Sequence, residues 1–454
     1  MKVAGKKVLV VGLGKSGISA ARYLTKKGAR VSVSEIKTGD ELDPHLILEV
    51  RELGVRLECG THRESSFLNS DLIVISPGVP LDIGPLKAAR ERGIPVIGEM
   101  ELASRAIEIP ILAVTGTNGK STVTAFLGSM LEGAGCRVFV GGNIGRPLID
   151  YPAEGERADY AVVEVSSFQL DAVEKFHPTC AIILNISPDH LDRYESFEAY
   201  ARSKLKIFQN MKKGDTAIVN DDDRLLREVT PTQKGLRVLR YGWQEKRNRH
   251  AFMNGTSVKA FLHEKDKYLF SVERFSLPGR HNMENLMPAI LVGLELGLEP
   301  ALIQQAIDGF KGLPHRLEHV ASINGIDFYN DSKATNVDAA SKSISSFHSP
   351  VVLIAGGRHK GGDYSQLAKV AKKQVKRAVL LGESKDLIAK WFEGTVPYSV
   401  AEDMEDAVSQ AFLSAKPGYV VVLAPACSSF DMFSDYAQRG NVFKEAVRKL
   451  VHGN

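Results

Sequence analysis

Short apolar runs recur along the chain and alternate with longer stretches in which apolar residues return every three to four positions. In the first hundred residues the runs are KKVLVVG (6–12), ARVSVSE (29–35), DLIVISPG (71–78) and IPVIG (94–98). Strand-like runs that alternate with helical stretches predict parallel strands linked by right-handed helical crossovers. A second series begins at IPILAVTG (109–116) and continues through RVFVGG (137–142), DYAVVEVS (159–166), CAIILNIS (180–187) and DTAIVND (215–221). From about 230 to 276 the pattern turns polar and short, as in VLRYGW (238–243) and KYLFSVERF (267–275), and predicts a small antiparallel patch. A Gly and Pro interruption, KGLPHRLE (311–318), precedes a third series: IDFYND, PVVLIAGG, RAVLLGE and YVVVLAPA. The expected fold is therefore α/β in three domains, 1–106, 107–312 and 313–454. The first and last are Rossmann-like, and the middle one is a parallel sheet of the P-loop ATPase type carrying the antiparallel patch.

Length agrees, since 454 residues make about three units of ~150. No apolar run reaches 18 residues, and the N-terminal MKVAGKKVLVVGLG enters a strand and a glycine turn directly, so neither a membrane segment nor an export signal is expected. The net charge of +4 comes from 58 basic and 54 acidic residues spread along the chain, which gives no reason to expect a nucleic-acid partner. Cys59, Cys136, Cys180 and Cys427 stand apart in sequence and read as thiols in a reducing, cytoplasmic setting, with Cys427 a packed residue rather than a nucleophile.

Two glycine turns carry candidate chemistry. Gly12-Leu-Gly14-Lys15-Ser16-Gly17 follows a strand and opens a helical run, and Glu35 closes the next strand. Such a turn lets backbone N–H groups approach a pyrophosphate. NAD or FAD, another diphosphate such as a UDP-sugar, and a turn that binds nothing all remain open at this point. The second turn, Gly116-Thr117-Asn118-Gly119-Lys120-Ser121-Thr122, is more specific: Lys120 can reach the β- and γ-phosphates of a nucleotide, and the Ser121 hydroxyl can sit on Mg²⁺. Its pattern is shortened, with Val114 where the full phosphate loop has glycine. Glu164 ends a later strand and His190 follows another, so Ser121, Glu164 and His190 can converge at the strand ends on Mg²⁺ or Mn²⁺.

GTNGKST, GGNIG, EVSSFQL, NISPDHLDRY, ARSKLKIF, PGRHNMEN, LPHRLE, NDSKATN and PACSSFD together resemble the Mur ligase family over nearly the whole chain. SSFQL, NDSKATN and PACSSFD point to the branch that adds D-glutamate to UDP-N-acetylmuramoyl-L-alanine. Other Mur ligases and folylpolyglutamate-type ligases share several of the remaining motifs. The resemblance implies an ATP-dependent amide-bond ligase of peptidoglycan precursor synthesis, acting as a cytoplasmic monomer with two Mg²⁺ ions through an acyl phosphate. It marks Lys204 as a lysine carbamylated by CO₂, a fourth metal-binding group beside Ser121, Glu164 and His190. It assigns the adenine end of ATP to Asn282 and Asn285, the phosphates to Arg316 as well as the loop, and a further ATP contact to Asp331. Lys333, Thr335, Lys360, Ser429 and Tyr436 would hold D-glutamate, Lys333 with a catalytic role. Gly14, Lys15, Ser16, Glu35 and Gly78 would take the UDP end of the substrate, and Asn143, Ser166, Gln169 and His190 its muramoyl-alanine end. Where the family often has Asp-Thr-Arg, this chain has Glu35-Ile36-Lys37, which removes a side-chain hydrogen bond to uracil and the fork of an arginine.

Overall fold

The computed structural model describes residues 1–452 except 192, 229–234 and 264–265. Among the described residues three sheets form in chain order. The first holds β1 (Lys7–Val11), β2 (Arg30–Ser34), β3 (Arg56–Glu58), β4 (Leu72–Ile75) and β5 (Val96–Gly98), all parallel, in the order β3-β2-β1-β4-β5. Strands such as LIVI are buried along their whole length, as a sheet covered on both faces requires.

The second sheet carries β6 (Ile111–Thr115), β7 (Val138–Gly142), β8 (Tyr160–Glu164), β9 (Cys180–Ile183), β10 (Thr216–Asn220), β11 (Arg237–Tyr241), β12 (Ala251–Asn254), β13 (Ser257–Phe261) and β14 (Lys267–Ser271). Their order is β14-β13-β12-β11-β10-β9-β6-β8-β7. One expectation is corrected here: VLRYGW, expected in the antiparallel patch, pairs parallel with β10 as β11 and extends the main sheet. The chain between them returns by a crossover that includes the helix Arg224–Glu228, whereas β12 and β13 are joined through Gly255 and Thr256, a tight hairpin that forces antiparallel pairing. The antiparallel part is thus β12, β13 and β14. Residues 230–234 and 264–265 of that stretch lie outside the described residues.

The third sheet is built from β15 (Glu318–Ile323), β16 (Ile326–Asn330), β17 (Val351–Gly356), β18 (Val375–Leu381), β19 (Tyr398–Val400) and β20 (Val420–Leu423), in the order β15-β16-β20-β17-β18-β19. It is parallel except for the edge strand β15, a hairpin partner of β16 that begins at the end of LPHRLE.

The two seams between sheets differ in kind. A continuous apolar core joins Val10, Leu24 and Met100 of the first unit to Ile149, Phe176 and Phe208 of the second. At that seam the fully buried Glu101 accepts the backbone N–H groups of Glu174, Lys175 and Phe176 at 2.9–3.0 Å and pairs with Arg105 at 2.6 Å. Glu99, 1% exposed, accepts the Ile149 N–H at 2.8 Å, while its Oε2 is buried without a hydrogen-bond partner among the described residues. The seam between the second and third units is polar: Asn118 Nδ2 donates to Asp338 Oδ2 at 2.6 Å, Asn336 Nδ2 to Asp189 Oδ2 at 3.0 Å and Arg316 Nη2 to Ser121 Oγ at 2.6 Å.

Candidate functional site

The phosphate loop links β6 to the helix Lys120–Gly133. Gly116 and Gly119 have φ of +148° and +87°, values L side chains rarely adopt, and a Cβ on Gly119 would lie 2.4 Å from Asn285 Oδ1. Asn185, at the end of β9, locks the loop: its Oδ1 accepts the Asn118 N–H at 2.8 Å and its Nδ2 donates to the Asn118 carbonyl at 3.0 Å. Lys120 Nζ folds back onto the carbonyls of Gly116 (3.0 Å) and Thr117 (2.8 Å), a position from which an incoming phosphate can recruit it. Burial lowers its ammonium from the ordinary lysine range, although the Glu164 and Asp189 charges oppose this.

Around this loop the structure gathers Lys120, Asn143, Glu164, Ser166, His190, Lys204, Arg316, Lys333, Thr335, Lys360, Ser429 and Tyr436 on one cavity of about 390 Å³. Asn282, Asn285, Thr122 and Asp331 line an adjoining hollow of about 60 Å³ that shares Gly119, Arg316 and Lys333 with it. Glu164 Oε1 accepts Asn143 Nδ2 at 2.8 Å, while Oε2 is buried without a partner among the described residues. Burial alone would raise this carboxyl, but the charges of Lys120 and Arg316 and neighbouring hydrogen bonds together outweigh it and hold the group below its ordinary value. An ionised, buried, half-satisfied carboxylate beside a phosphate loop suits a divalent cation. Among the described residues no three His, Cys, Asp or Glu side chains form a metal cage, so an ion here would draw further oxygens from phosphate, water or hydroxyls. Ser121 Oγ can contribute once Arg316, its present donor, moves away.

Lys204 is 2% exposed. It lies 4.6 Å from the centroid of the Tyr200 ring, and its Nζ donates to the Gly116 carbonyl at 2.8 Å. Burial and the nearby Lys120 push this amine well below the lysine range, which favours its neutral form over the ammonium. His190 sits at φ +55° on the loop after β9, edge-on to Phe168 at 4.9 Å. Holding a non-glycine residue there costs of order 1–2 kcal/mol, so the surrounding loop over-determines its position. Lys333 lies 3.6 Å from the Tyr436 ring centroid, and burial with the Arg316 charge lowers it to about 7. Burial raises Asp331 to about 6.

The residues expected at the UDP end lie outside this cavity. Gly14 and Lys15 are exposed at the mouth of the first sheet, and Ser16 is half-buried there. Glu35 is turned inward, accepting the N–H groups of Leu13 (2.6 Å) and Lys37 (3.0 Å), so it braces the glycine turn. The Gly78 carbonyl accepts Arg193 Nη1 at 3.4 Å, across the first seam. Ser166 and Gln169 form a capping box on the helix Ser167–Asp171; Ser166 faces the main cavity, and Gln169 a small hollow shared with Ser76 and Glu99. Cys427 is fully buried and within 3.0 Å of the Tyr364 hydroxyl, a packed thiol.

Several cavity residues were not picked out from the sequence: Asp189, Tyr200, Asn336 and Phe430 line the main cavity, and His281, lowered to about 4 by burial and Lys342, the smaller one. Signals existed for three of them. Asp189 precedes His190, His281 precedes Asn282, and Tyr200 stands one helical turn before Lys204.

Three family models match in chain order: a Mur ligase MurD-like N-terminal domain over 6–98, a Mur ligase middle domain over 114–293 and a Mur ligase glutamate ligase domain over 315–427. UDP-N-acetylmuramoylalanine–D-glutamate ligase of Desulfosudis oleivorans is 46% identical over 460 residues, covering 100% of this chain and 98% of its own. The chain belongs to the Mur ligase family. The same-named enzyme of Geotalea daltonii is 43% identical over 454 residues, with both chains covered in full. Among solved structures, the Mur ligase fold appears in UDP-N-acetylmuramate-alanine ligase MurC of Thermotoga maritima, with a TM-score of 0.62 at 19% identity over 98% of this chain and 99% of that one. MurF of the same organism, in complex with ADP, gives 0.62 at 16% over 99% and 96%.

Proposed function

We propose that this Mur ligase joins D-glutamate to UDP-N-acetylmuramoyl-L-alanine at the expense of ATP, as the names of its full-length relatives suggest. The observation that carries the reading is the phosphate loop facing Glu164, Lys204 and Lys333 across one cavity between the second and third sheets. Residues 1–106 would hold the UDP end at Gly14, Lys15 and Ser16, residues 107–312 the nucleotide, and residues 313–454 the amino acid.

A carboxylate is a poor electrophile because hydroxide leaves badly. In the proposed sequence a carboxylate oxygen of the alanyl group attacks the γ-phosphorus of ATP, the bond to the β-phosphate oxygen breaks, and ADP departs. The D-glutamate amine then adds to the acyl carbon, and the tetrahedral adduct collapses with loss of phosphate and a proton. Phosphoryl transfer is chiefly positioning and charge neutralisation, tasks for Lys120, Arg316 and the loop N–H groups. Mg²⁺, and a second ion near His190, would be held by Glu164 with Ser121 and a carbamylated Lys204, supplying charge to the transferring phosphoryl oxygens. Lys333 and Lys360 offer cations to the two carboxylates of D-glutamate, with Thr335 and Ser429 as hydroxyl donors. Among the described residues no helix is long and apolar enough to cross a membrane.

Phosphate release with UDP-N-acetylmuramoyl-L-alanine and ATP, compared between the glutamate enantiomers, tests the proposal. Release dependent on D-glutamate is expected; release indifferent to it would overturn the assignment.

A further inference from the structure

The first sheet has a second concavity, of about 650 Å³, that the proposed reaction does not use. Its floor is set by strand register. Lys7 lies beside Arg30 and Ser32 beside Arg56, and residues two apart in a strand share a face, so three cations stand on one side of β1, β2 and β3. The crossover helix on that side, Glu64–Leu68, has five residues and rises ~7 Å, too short to roof the face. Its Phe67 packs with Leu9 and leaves the rest open, while Arg63 adds a fourth cation at the rim.

Neighbouring like charges across strands destabilise a sheet unless something compensates. Compensation within the chain is slight. Glu58 is the acidic residue lining the concavity, and it pairs with Arg56 at 3.2 Å and accepts the Ser66 hydroxyl at 2.6 Å. Lys7, Arg30 and Arg63 make no ion pair with a described residue. Thr25, Ser32, Ser65, Asn69 and Ser70 add neutral polar groups around them. Lys7, Arg30 and Arg56 are the first residues of their strands, whereas the glycine turn follows the last residue of β1, ~13 Å away along that strand. Nucleotides in such sheets bind at the C-terminal ends of strands. This concavity is therefore separate from the diphosphate turn.

We propose that it is a second anion site, which takes a small phosphorylated molecule carrying two or more negative charges. Unpaired cations supply the attraction, and a concave floor with neutral polar groups suits a compact ligand rather than an extended acidic chain.

The test is calorimetric titration of the full chain with inorganic pyrophosphate while ADP and UDP, each at one equivalent per chain, fill the substrate sites without saturating the concavity. One pyrophosphate per chain is expected, with affinity falling as salt rises. In the double variant Arg30→Ser, Arg63→Ser the affinity should fall at least tenfold while ligase turnover stays at the wild-type rate, which also reports that the variant is folded. Arg377→Ser, on the third sheet, should leave pyrophosphate binding unchanged. Absence of binding once ADP and UDP are present, or undiminished binding in the double variant, would overturn the proposal.

Discussion

Glu99 should make the first seam weaken as pH rises. Its carboxyl is buried between the first two sheets, one oxygen satisfied by the Ile149 N–H and the other unpartnered, with Asp150 nearby as a like charge. Burial, reinforced by Asp150, raises it from 4.5 to about 7. Between these two values the folded chain keeps a proton that the unfolded chain has released, so stability falls as pH climbs through the window. The gap corresponds to about 3 kcal/mol in full, of which about 2.5 kcal/mol falls between pH 5 and pH 8. Glu99→Gln keeps an acceptor for Ile149 and removes the titration. Urea unfolding followed by far-UV circular dichroism at the two pH values should show the wild type losing about 2 to 3 kcal/mol relative to the variant at pH 8. A difference that is the same at both values would refute the reasoning, because every other titrating group is common to both proteins.

Glu101→Ala should cost about 3 kcal/mol in the same assay, since it removes a fully buried carboxylate that pairs with Arg105 and accepts three backbone N–H groups, that of Phe176 buried. Lys120→Ala should lower kcat by 10²-fold or more, the usual penalty for removing one preorganised charge partner, and a folded variant retaining more than a few per cent of the rate would contradict this. Lys204→Ala should be inactive and recover activity with added small carboxylates; in the wild type, ¹³C-bicarbonate should give a carbamate resonance that the variant lacks. Lys333, lowered to about 7, should lose its charge as pH rises through neutrality, so kcat/KM for D-glutamate should decline above pH 7, and earlier than in Lys333→Arg.

Most of the parallel strands were legible because each lies within a short, largely apolar run, and burial in the sheet leaves that mark in sequence. β3, β12, β13, β15 and β19 left none. β3 and β19 have three residues each, and β12, β13 and β15 have polar positions facing solvent, so their pairing depends on neighbours rather than on their own composition. VLRYGW shows the complementary limit, because strand direction is decided by the connection and not by the strand. In the cavity, residues within glycine turns or at strand ends could be read because backbone geometry constrains them. Asn185 and Asn336 could not, since their importance lies in bonds to Asn118 and Asp189, made by chain segments distant in sequence.

The unequal seams decide how this molecule can move. An apolar weld with a carboxylate bolted across it ties the first sheet to the second, while the third sheet hangs from the short segment at 311–318 and meets the second through hydrogen bonds that water can replace. Arg316, within that tether, holds the very hydroxyl that a metal would need. Under the proposed function, loading the nucleotide would trade that grip for a phosphate, so the hinge itself would register whether the loop is filled.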